Sequence, residues 1–233
     1  MGGKSNGIYK NLNCGLGSFD NKKNIIENLA LVEKKIKSGL SKIVLLNQIH
    51  SNKFYYMDKT SRLNHKKFTG DALITNKSNT PIAILTADCA PILLFDKKNK
   101  TIAAIHAGWK GAHNEIVKKV IKFMIKKGSS TNDITAVIGP CISLKNYEVK
   151  QDFIKKFIKK DIKTKVFFKK IRNKSYFNLN KYITHQLKSL NIKRIEVINK
   201  DTFDIKNNFF SARRSLSRNE NDYGRNISVI MIN

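Results

Sequence analysis

The stretch that decides the fold runs from Ala87 to Ala112 and reads ADCAPILLFDKKNKTIAAIHAGWKGA. It contains two apolar runs, Ile92–Phe95 and Ile102–Ile105, which are joined by the polar turn Asp96–Lys100. Short apolar runs that are bounded by turn residues are typical of buried strands. The stretch therefore predicts a β-hairpin at the centre of the protein.

Two side chains with metal-binding chemistry flank this hairpin. Cys89 lies just before the first strand, and His106 closes the second. Antiparallel pairing folds the chain back on itself, so both side chains are expected at the same end of the sheet. Because a thiolate and an imidazole together suit zinc or copper, we predict a metal or thiol centre there.

His50 is the third candidate. It ends a predicted strand, Lys42–His50, and is followed by the turn Ser51-Asn52. Side chains at strand ends often meet at a shared opening, where loops carry function. His50, Cys89 and His106 would form a three-ligand set with an open fourth position, which describes a catalytic zinc site. The alternative is an inert core cysteine and two structural histidines, because no tight C-x-x-C motif is present.

A second group of residues has the chemistry to hold an anion. Lys110 and Gly111 precede a predicted helix, and free backbone N–H groups at a helix start beside a lysine can bind phosphate. Arg213 and Arg214 form a compact cationic pair suited to phosphate, or else a solvated surface pair.

Three further residues are candidates near the site. Asp88 and Glu148 carry carboxyl groups that could move a proton during a reaction. Cys141 follows Gly139-Pro140, where a tight backbone suits close approach to a site. The alternative for Cys141 is a small hydrophobic residue beneath a turn.

Composition narrows the class of protein. A chain of 233 residues with 41% hydrophobic residues fits a single domain, 1–233, with a sizeable core. No apolar run approaches the ~18–20 residues of a transmembrane helix, and the first residues lack the apolar centre of a signal peptide. Three widely spread cysteines argue for a reducing, cytoplasmic setting rather than a disulfide framework.

The formal charge of +28 predicts salt-sensitive attraction to polyanions. The lysines are scattered along the whole chain, and no zinc-finger spacing or aromatic RNA-binding motif accompanies them. We therefore expect neither a specific nucleic-acid partner nor a membrane partner.

The order of the predicted elements favours a mixed-sheet α/β or α+β domain, because strands and helices are interspersed. The predicted helices are Asn24–Ser38, Asn114–Lys127, Val149–Lys160 and Leu179–Leu190. Outside the central hairpin, Lys42–His50 is predicted to be a strand with Lys53–Asp58 as its hairpin partner. The other predicted strands are Asp71–Thr75, Ile82–Thr86, Ile134–Ile138, Val166–Phe168, Arg194–Ile198, Phe209–Ala212 and Ile227–Ile232. A basic loop is expected over Lys59–Thr69.

Several short motifs together resemble one known family. They are NQIHSN, GDALIT, TADCAPILLFD, AAIHAGWKGA, IGPCI followed by YEV, and FFSARR followed by YGRNISVI. In this order they are similar to the YfiH/FAMIN-type laccase-domain family, formerly called multicopper polyphenol oxidases and now regarded as purine nucleoside phosphorylases. The resemblance covers almost the whole chain.

The resemblance implies a single layered α/β domain with mixed β-sheets flanked by helices, similar to cytotoxic necrotising factor hydrolases. It implies a catalytic zinc held by His50, Cys89 and His106. It also implies phosphorolysis of adenosine, inosine and methylthioadenosine with inorganic phosphate, deamination of adenosine, and a monomer or homodimer.

Two alternatives remain open beside this one. The first is a Cys–His hydrolase that edits cell-wall peptide precursors, with Cys89 as nucleophile and His106 as base. The second is a copper-dependent polyphenol oxidase with Cu²⁺ in place of zinc, although five histidines are too few for a multicopper enzyme. The chain departs from the family at Lys110, where an arginine is usual, and at Asp201-Thr202, where Cys-Thr is usual.

Overall fold

The structure, a computed structural model, describes residues 2–58, 60 and 68–233. The α-helices among these residues are α1 (Lys22–Lys35), α2 (Trp109–His113), α3 (Ile116–Lys126), α4 (Gln151–Lys160), α5 (Leu179–Ser189) and α6 (Ala212–Ser217). The strands are β1 (Phe54–Met57), β2 (Ala72–Thr75), β3 (Ile82–Thr86), β4 (Ala90–Asp96), β5 (Thr101–Ala107), β6 (Ile134–Ile138), β7 (Glu148–Val149), β8 (Phe168–Ile171), β9 (Lys174–Phe177), β10 (Arg194–Val197) and β11 (Asn226–Ile230).

The strands form three sheets, of which the largest is mixed. Its six strands lie in the order β1-β2-β5-β4-β6-β10, with parallel pairs at both edges and antiparallel pairs between them. A two-stranded sheet contains β3 and β11, and a three-stranded sheet has the order β7-β9-β8. This arrangement confirms the predicted mixed α/β class.

The large sheet is covered on both faces. One core contains Ile92, Ile105 and Val120, and it packs the sheet against the apolar side of α3 and the helices around it. A second core, with Leu73 and Ile84 among its members, packs the other face against β3. Because β5 is covered from both sides, all seven of its residues are buried.

The predicted hairpin is confirmed. Strands β4 and β5 are antiparallel, with Ala90 opposite Ala107 and Pro91 opposite His106. Side chains alternate along a strand, so His106 points to the same face as Ile102 and Ala104, towards β3. The hairpin therefore brings Cys89 and His106 to one end of the sheet, as its sequence predicted.

The predicted strand Lys42–His50 is wrong. This segment makes only isolated parallel bridges, at Val44 with Ile82 and at Asn47 with Thr69. The hairpin prediction for Lys53–Asp58 is also wrong, because β1 pairs in parallel with β2 instead. Apolar residues in both segments are drawn into the second core by neighbours that are distant in sequence.

The predicted helix Asn114–Lys127 is confirmed as α3, but a short helix that the sequence did not predict, α2, precedes it. The chain turns into α2 at Trp109, and Glu115, with a left-handed φ of 60°, separates α2 from α3. Gly128 follows the end of α3 with a φ of 98°, a conformation that glycine adopts freely.

Two further strand predictions need correction. Val166 lies in a 3-10 helix, Ile162–Phe167, and the strand begins only at Phe168. The predicted strand Phe209–Ala212 is absent, because Ser211 caps the N-terminus of α6 by accepting a hydrogen bond from the backbone N–H of Arg214.

Most of the predicted basic loop Lys59–Thr69 lies outside the described residues. Among the residues that the structure does describe, no helix is both long and apolar enough to span a bilayer.

Candidate metal centre

Three segments that are distant in sequence bring His50, Cys89 and His106 together. The Sγ atom of Cys89 lies 3.8 Å from Nε2 of His50. The two imidazole ring centroids are 4.7 Å apart, at an interplanar angle of 77°. One candidate ligand atom from each residue lies within 4.8 Å of the others, so the three can converge on a single ion. No other such group occurs in the described ranges.

Each of the three side chains is delivered by a different local structure. His106 comes from the buried strand β5, which fixes its direction. Cys89 lies between β3 and β4, directly after Asp88, whose φ is 82°. His50 belongs to the loop before β1 and has a φ of 58°. Non-glycine residues with positive φ are uncommon, and they concentrate at functional sites.

The buried carboxylate of Asp71, just before β2, lies behind the two histidines. Its Oδ1 atom accepts hydrogen bonds from Nδ1 of His106 at 2.8 Å and from the backbone N–H of His50 at 2.9 Å. Its Oδ2 atom accepts from the backbone N–H and the hydroxyl of Ser51. Burial raises the pKa of Asp71, but the hydrogen bonds from His106 and Ser51 lower it by more.

The thiol and the imidazole shift each other's protonation. Burial raises the pKa of Cys89, but the charge of His106 and hydrogen bonds from both histidines bring it down to about 6. Burial lowers the pKa of His106, yet the charge of Cys89 and the hydrogen bond to Asp71 raise it to about 9. Each group therefore favours the charged form of the other, and the thiolate is the form of cysteine that binds a metal.

Two clefts open from the centre and share His50, Ala87, Cys89 and Tyr223 as common walls. The first cleft has a volume of about 370 Å³. Its lining includes Leu16, Leu45, Leu85, Gln48 and Arg225. The second cleft has a volume of about 220 Å³. Its lining includes Trp109, Tyr147, Leu179, Asp88 and Arg213. The centre therefore faces two spaces of different size and lining.

Of the two arginines predicted to bind an anion, one lines a cleft and the other is bound to backbone carbonyls. Arg213 lines the second cleft, where its guanidinium lies 5.5 Å from the ring of Tyr147 and donates to the carbonyl of Glu148. Arg214 donates to the backbone carbonyls of Thr202, Phe203 and Phe209, so its guanidinium holds the loop before α6 together.

Lys110 and Gly111 line neither cleft in the described part of the chain. The side chain of Lys110 is exposed, with its Nζ atom 5.8 Å from the ring of Trp109. Gly111 is buried in the first turn of α2, where an added Cβ would lie 3.0 Å from the carbonyl of Ser51. Their role in binding phosphate stays a prediction.

The two predicted proton carriers, Asp88 and Glu148, differ in their position relative to the clefts. Asp88 lines the second cleft and accepts hydrogen bonds from Thr202 Oγ1 at 2.6 Å and from the backbone N–H of Arg213 at 2.7 Å. Glu148 is exposed and forms an ion pair with Lys174 at 2.9 Å. Asp88 alone of the two borders a cleft.

Cys141 lies in the core beside the second cleft. Its Sγ atom is 3.0 Å from Oδ1 of Asn180. Burial raises the pKa of its thiol, so Cys141 stays protonated. These observations match the structural alternative for this residue.

Sequence reasoning missed Asp71, Tyr147 and Tyr223 as neighbours of the centre. A signal existed for Asp71, because an acidic residue directly before the apolar run Ala72–Ile74 needs a buried partner. The two tyrosines carry no comparable signal, since only the packed loops bring them to the clefts.

Comparisons with known proteins place this geometry in a family. Residues 1–233 match the family described as multi-copper polyphenol oxidoreductase laccase. A purine nucleoside phosphorylase of Rickettsia conorii is 35% identical over 209 residues, covering 89% of this chain and 84% of that protein. A purine nucleoside phosphorylase of Bacteroides thetaiotaomicron is 32% identical and covers 100% of this chain and 88% of that protein.

A solved structure agrees with the sequence comparisons. The hypothetical protein YfiH of Bacillus licheniformis superposes with a TM-score of 0.91 at 27% identity, covering 100% of this chain and 90% of that one. With the whole chain matched and the hairpin motifs in place, the protein belongs to the multi-copper polyphenol oxidoreductase laccase family, the YfiH-type family that its motifs predicted.

Proposed function

We propose that the protein is a zinc-dependent purine nucleoside phosphorylase. It would convert adenosine or inosine and inorganic phosphate to the free base and ribose 1-phosphate, and methylthioadenosine to adenine and methylthioribose 1-phosphate. It would also deaminate adenosine with water to inosine and ammonia. The observation that carries this proposal is a His-Cys-His group at the junction of two clefts. The names of the relatives from Rickettsia conorii and Bacteroides thetaiotaomicron support the phosphorylase reaction.

The donor set fits zinc. Bond lengths of about 2.3 Å to sulfur and about 2.0–2.1 Å to nitrogen, in a tetrahedron, put ligand atoms roughly 3.3–3.6 Å apart. The 3.8 Å between Cys89 and His50 is close to this range, and the other separations, none above 4.8 Å, would shorten to about 3.6 Å or less when the ion is bound. His50, Cys89 and His106 would hold the ion, which when bound would supply Lewis-acid chemistry at the mouth of both clefts.

The two clefts suit the two substrates. The first cleft is the larger and has leucine walls, which favours a nucleoside whose flat base packs on Leu85 and Tyr223. The second cleft is smaller and contains Arg213, whose planar guanidinium can hold phosphate with two parallel hydrogen bonds. With one substrate in each cleft, phosphate and nucleoside would meet at the ribose C1′ atom beside the residues that both clefts share.

The reaction breaks the C1′–N bond of the nucleoside and forms a C1′–O bond to hydrogen phosphate, and the proton that the phosphate loses goes to the departing base. Asp88 borders the second cleft, so we propose it as the residue that holds or passes this proton. Glu148 is the weaker candidate, because its carboxylate is exposed and paired with Lys174.

The direct test incubates zinc-loaded protein with adenosine or inosine and phosphate and separates the products by chromatography. Adenine or hypoxanthine with ribose 1-phosphate is expected, and inosine from adenosine would report the deamination. As a control, the variant His185→Gln should give the same products as the unchanged protein, since His185 is an exposed histidine that lines neither cleft. A folded, zinc-loaded protein that gives none of these products would end the proposal.

The phosphate site has its own test. Arg213→Ala is expected to raise KM for phosphate by about tenfold or more, because a charge-assisted hydrogen bond is worth roughly 1.5–3 kcal/mol. Lys110→Ala removes an exposed cation outside the second cleft, so a change of less than about twofold is expected for a solvated charge. Equal effects of the two substitutions would move phosphate binding away from the second cleft.

One observation favours a second candidate, the Cys–His hydrolase. The low pKa of Cys89, about 6, makes its thiolate a ready nucleophile beside the imidazole of His106. Full hydrolytic activity after exhaustive chelation, with covalent labelling of Cys89, would favour this candidate over the phosphorylase.

The copper oxidase ranks below both candidates. One His-Cys-His group, the only potential metal site among the described residues, cannot supply ligands for several copper ions. Metal analysis of the native protein separates the alternatives, because zinc at one ion per chain is expected and copper at several ions per chain is not.

A further inference from the structure

We propose that Asp71 is the positioning residue of the metal centre, where one buried carboxylate fixes the ring of His106 and the backbone of His50 together. The inference rests on the metal site of the proposed function but not on the reaction. Asp71 is 0% exposed and lies outside both clefts, so it acts through its neighbours.

The first role of Asp71 concerns the ring of His106. An ionised carboxylate can only accept hydrogen bonds, so Nδ1 of His106, 2.8 Å from Oδ1, must carry the ring proton. A neutral imidazole then has its lone pair on Nε2, which is the nitrogen left to bind an ion. Asp71 thereby selects the tautomer of His106 that can act as a ligand.

The second role concerns the loop that carries His50. The left-handed φ of 58° at His50 is unfavourable for a residue with a side chain. The carboxylate of Asp71 accepts hydrogen bonds from the backbone N–H groups of both His50 and Ser51, and also from the Ser51 hydroxyl. These three hydrogen bonds hold the loop in the conformation that turns the ring of His50 towards Cys89.

The backbone of Asp71 adds a third connection. Its carbonyl accepts a hydrogen bond from the backbone N–H of His106 at 2.7 Å, at the start of the pairing between β2 and β5. The carboxylate is therefore fixed to the same strand that carries the ring it orients. One residue thus joins the strand ligand and the loop ligand into a rigid pair, while Cys89 enters from a separate connection.

The test is Asp71→Asn, with Asp96→Asn as the matched control. The amide that replaces the carboxylate could not accept hydrogen bonds from all four donors, and an amide N–H turned towards His106 would favour the tautomer with a proton on Nε2. The control makes the same chemical change at another fully buried carboxylate, which accepts from Lys98 and Asn99 in the β4–β5 turn. Zinc affinity is measured by competition with a chromophoric chelator.

Asp71→Asn is expected to bind zinc about 10–100-fold more weakly than the unchanged protein, while Asp96→Asn binds it normally. Unchanged zinc affinity in folded Asp71→Asn would overturn the proposal. So would an equal loss in both variants, because general destabilisation would then explain the effect. Normal zinc binding by the unchanged protein without any phosphorolysis would instead count against the proposed function and leave the role of Asp71 intact.

Two further measurements apply if Asp71→Asn does not fold. Nitrogen-15 NMR of the zinc-loaded, unchanged protein should show His106 protonated at Nδ1, and a proton on Nε2 would contradict the proposal. Ser51→Ala removes the hydroxyl hydrogen bond to Oδ2 and the hydrogen bond that this hydroxyl accepts from the backbone N–H of Lys53, but leaves both backbone hydrogen bonds to Asp71 in place. It should weaken zinc binding by a few-fold, less than Asp71→Asn, and an unchanged affinity would show that the loop does not depend on this carboxylate.

Discussion

The β4–β5 hairpin has a fully buried carboxylate at each of its two ends, Asp71 beside His106 and Asp96 in the turn. At the turn, Asp96 accepts hydrogen bonds from the backbone N–H groups of Lys98 and Asn99 and from the Asn99 amide. At the other end, Asp71 accepts from an imidazole and from the loop that carries a second imidazole. Both carboxylates are buried and accept several hydrogen bonds, but the groups around them differ.

The difference lies in what surrounds the donors. The donors to Asp96 are groups of the turn and the side chain of Ser129, so the carboxylate stabilises the turn and its contact with the segment after α3. The donors to Asp71 belong to residues whose other atoms face a half-buried thiol and two clefts. A buried carboxylate becomes part of a candidate site when the groups it orients have a free face turned towards space that a ligand can fill.

The largest expected effect comes from removing a candidate metal ligand at the end of the hairpin that faces the clefts, which we call the open end. Cys89→Ala should lower both zinc affinity and phosphorolysis by more than the roughly 100-fold upper value for a residue that only supports a ligand. The control is Cys14→Ala, because Cys14 is a fully buried cysteine that lines neither cleft. Full activity in Cys89→Ala would show that the open end is no more functional than the turn.

A smaller effect is expected from crowding the same end. A Cβ atom on Gly108 would lie 2.8 Å from Sγ of Cys89 and 3.1 Å from Cδ2 of His50. Overpacking of this kind costs roughly 1–3 kcal/mol, so Gly108→Ala should weaken zinc binding by about tenfold.

Gly17→Ala is the control for this crowding, because its added Cβ would meet no atom within 4 Å. Its zinc affinity should match that of the unchanged protein. If Gly108→Ala also bound zinc normally, the centre would have to be looser than its contacts indicate.

The smallest effect is expected at the other end of the hairpin, in the turn that contains Asp96, and it concerns only the free energy of unfolding. Burial raises the pKa of Asp96, but hydrogen bonds from Ser129, Asn99 and Lys98 bring it below its usual value. A lowered folded-state pKa means that the carboxylate stabilises the fold above the unfolded pKa of about 3.9 and that this contribution is lost as pH falls through the folded pKa.

Asp96→Asn should therefore lower the free energy of unfolding by about 1–3 kcal/mol at neutral pH, and this difference should shrink below about pH 4. Urea unfolding at several pH values measures it. A difference that stays constant from neutral to acidic pH would mean that the charge of Asp96 does not stabilise the turn.

Local pattern was enough for the hairpin and its two flanking ligands. The spacing of apolar runs around Asp96–Lys100 depends only on neighbours in sequence, so β4, β5 and the convergence of Cys89 with His106 could be predicted. The strand-end argument for His50 is partly wrong, because the strand expected to end at this residue makes only isolated bridges. The position of His50 depends on Asp71, which no local pattern connects to it.

By itself the amino-acid sequence determined the α/β class, the family and the central hairpin with Cys89 and His106 at one end, because periodicity and short motifs encode them locally. Tertiary structure alone decided that Asp71 joins two histidines, that Tyr223 borders both clefts, and that Arg213 faces the second cleft while Arg214 holds a loop. Those outcomes depend on packing between segments far apart in the chain, where burial and hydrogen-bond geometry, rather than residue type, determine what each side chain contacts.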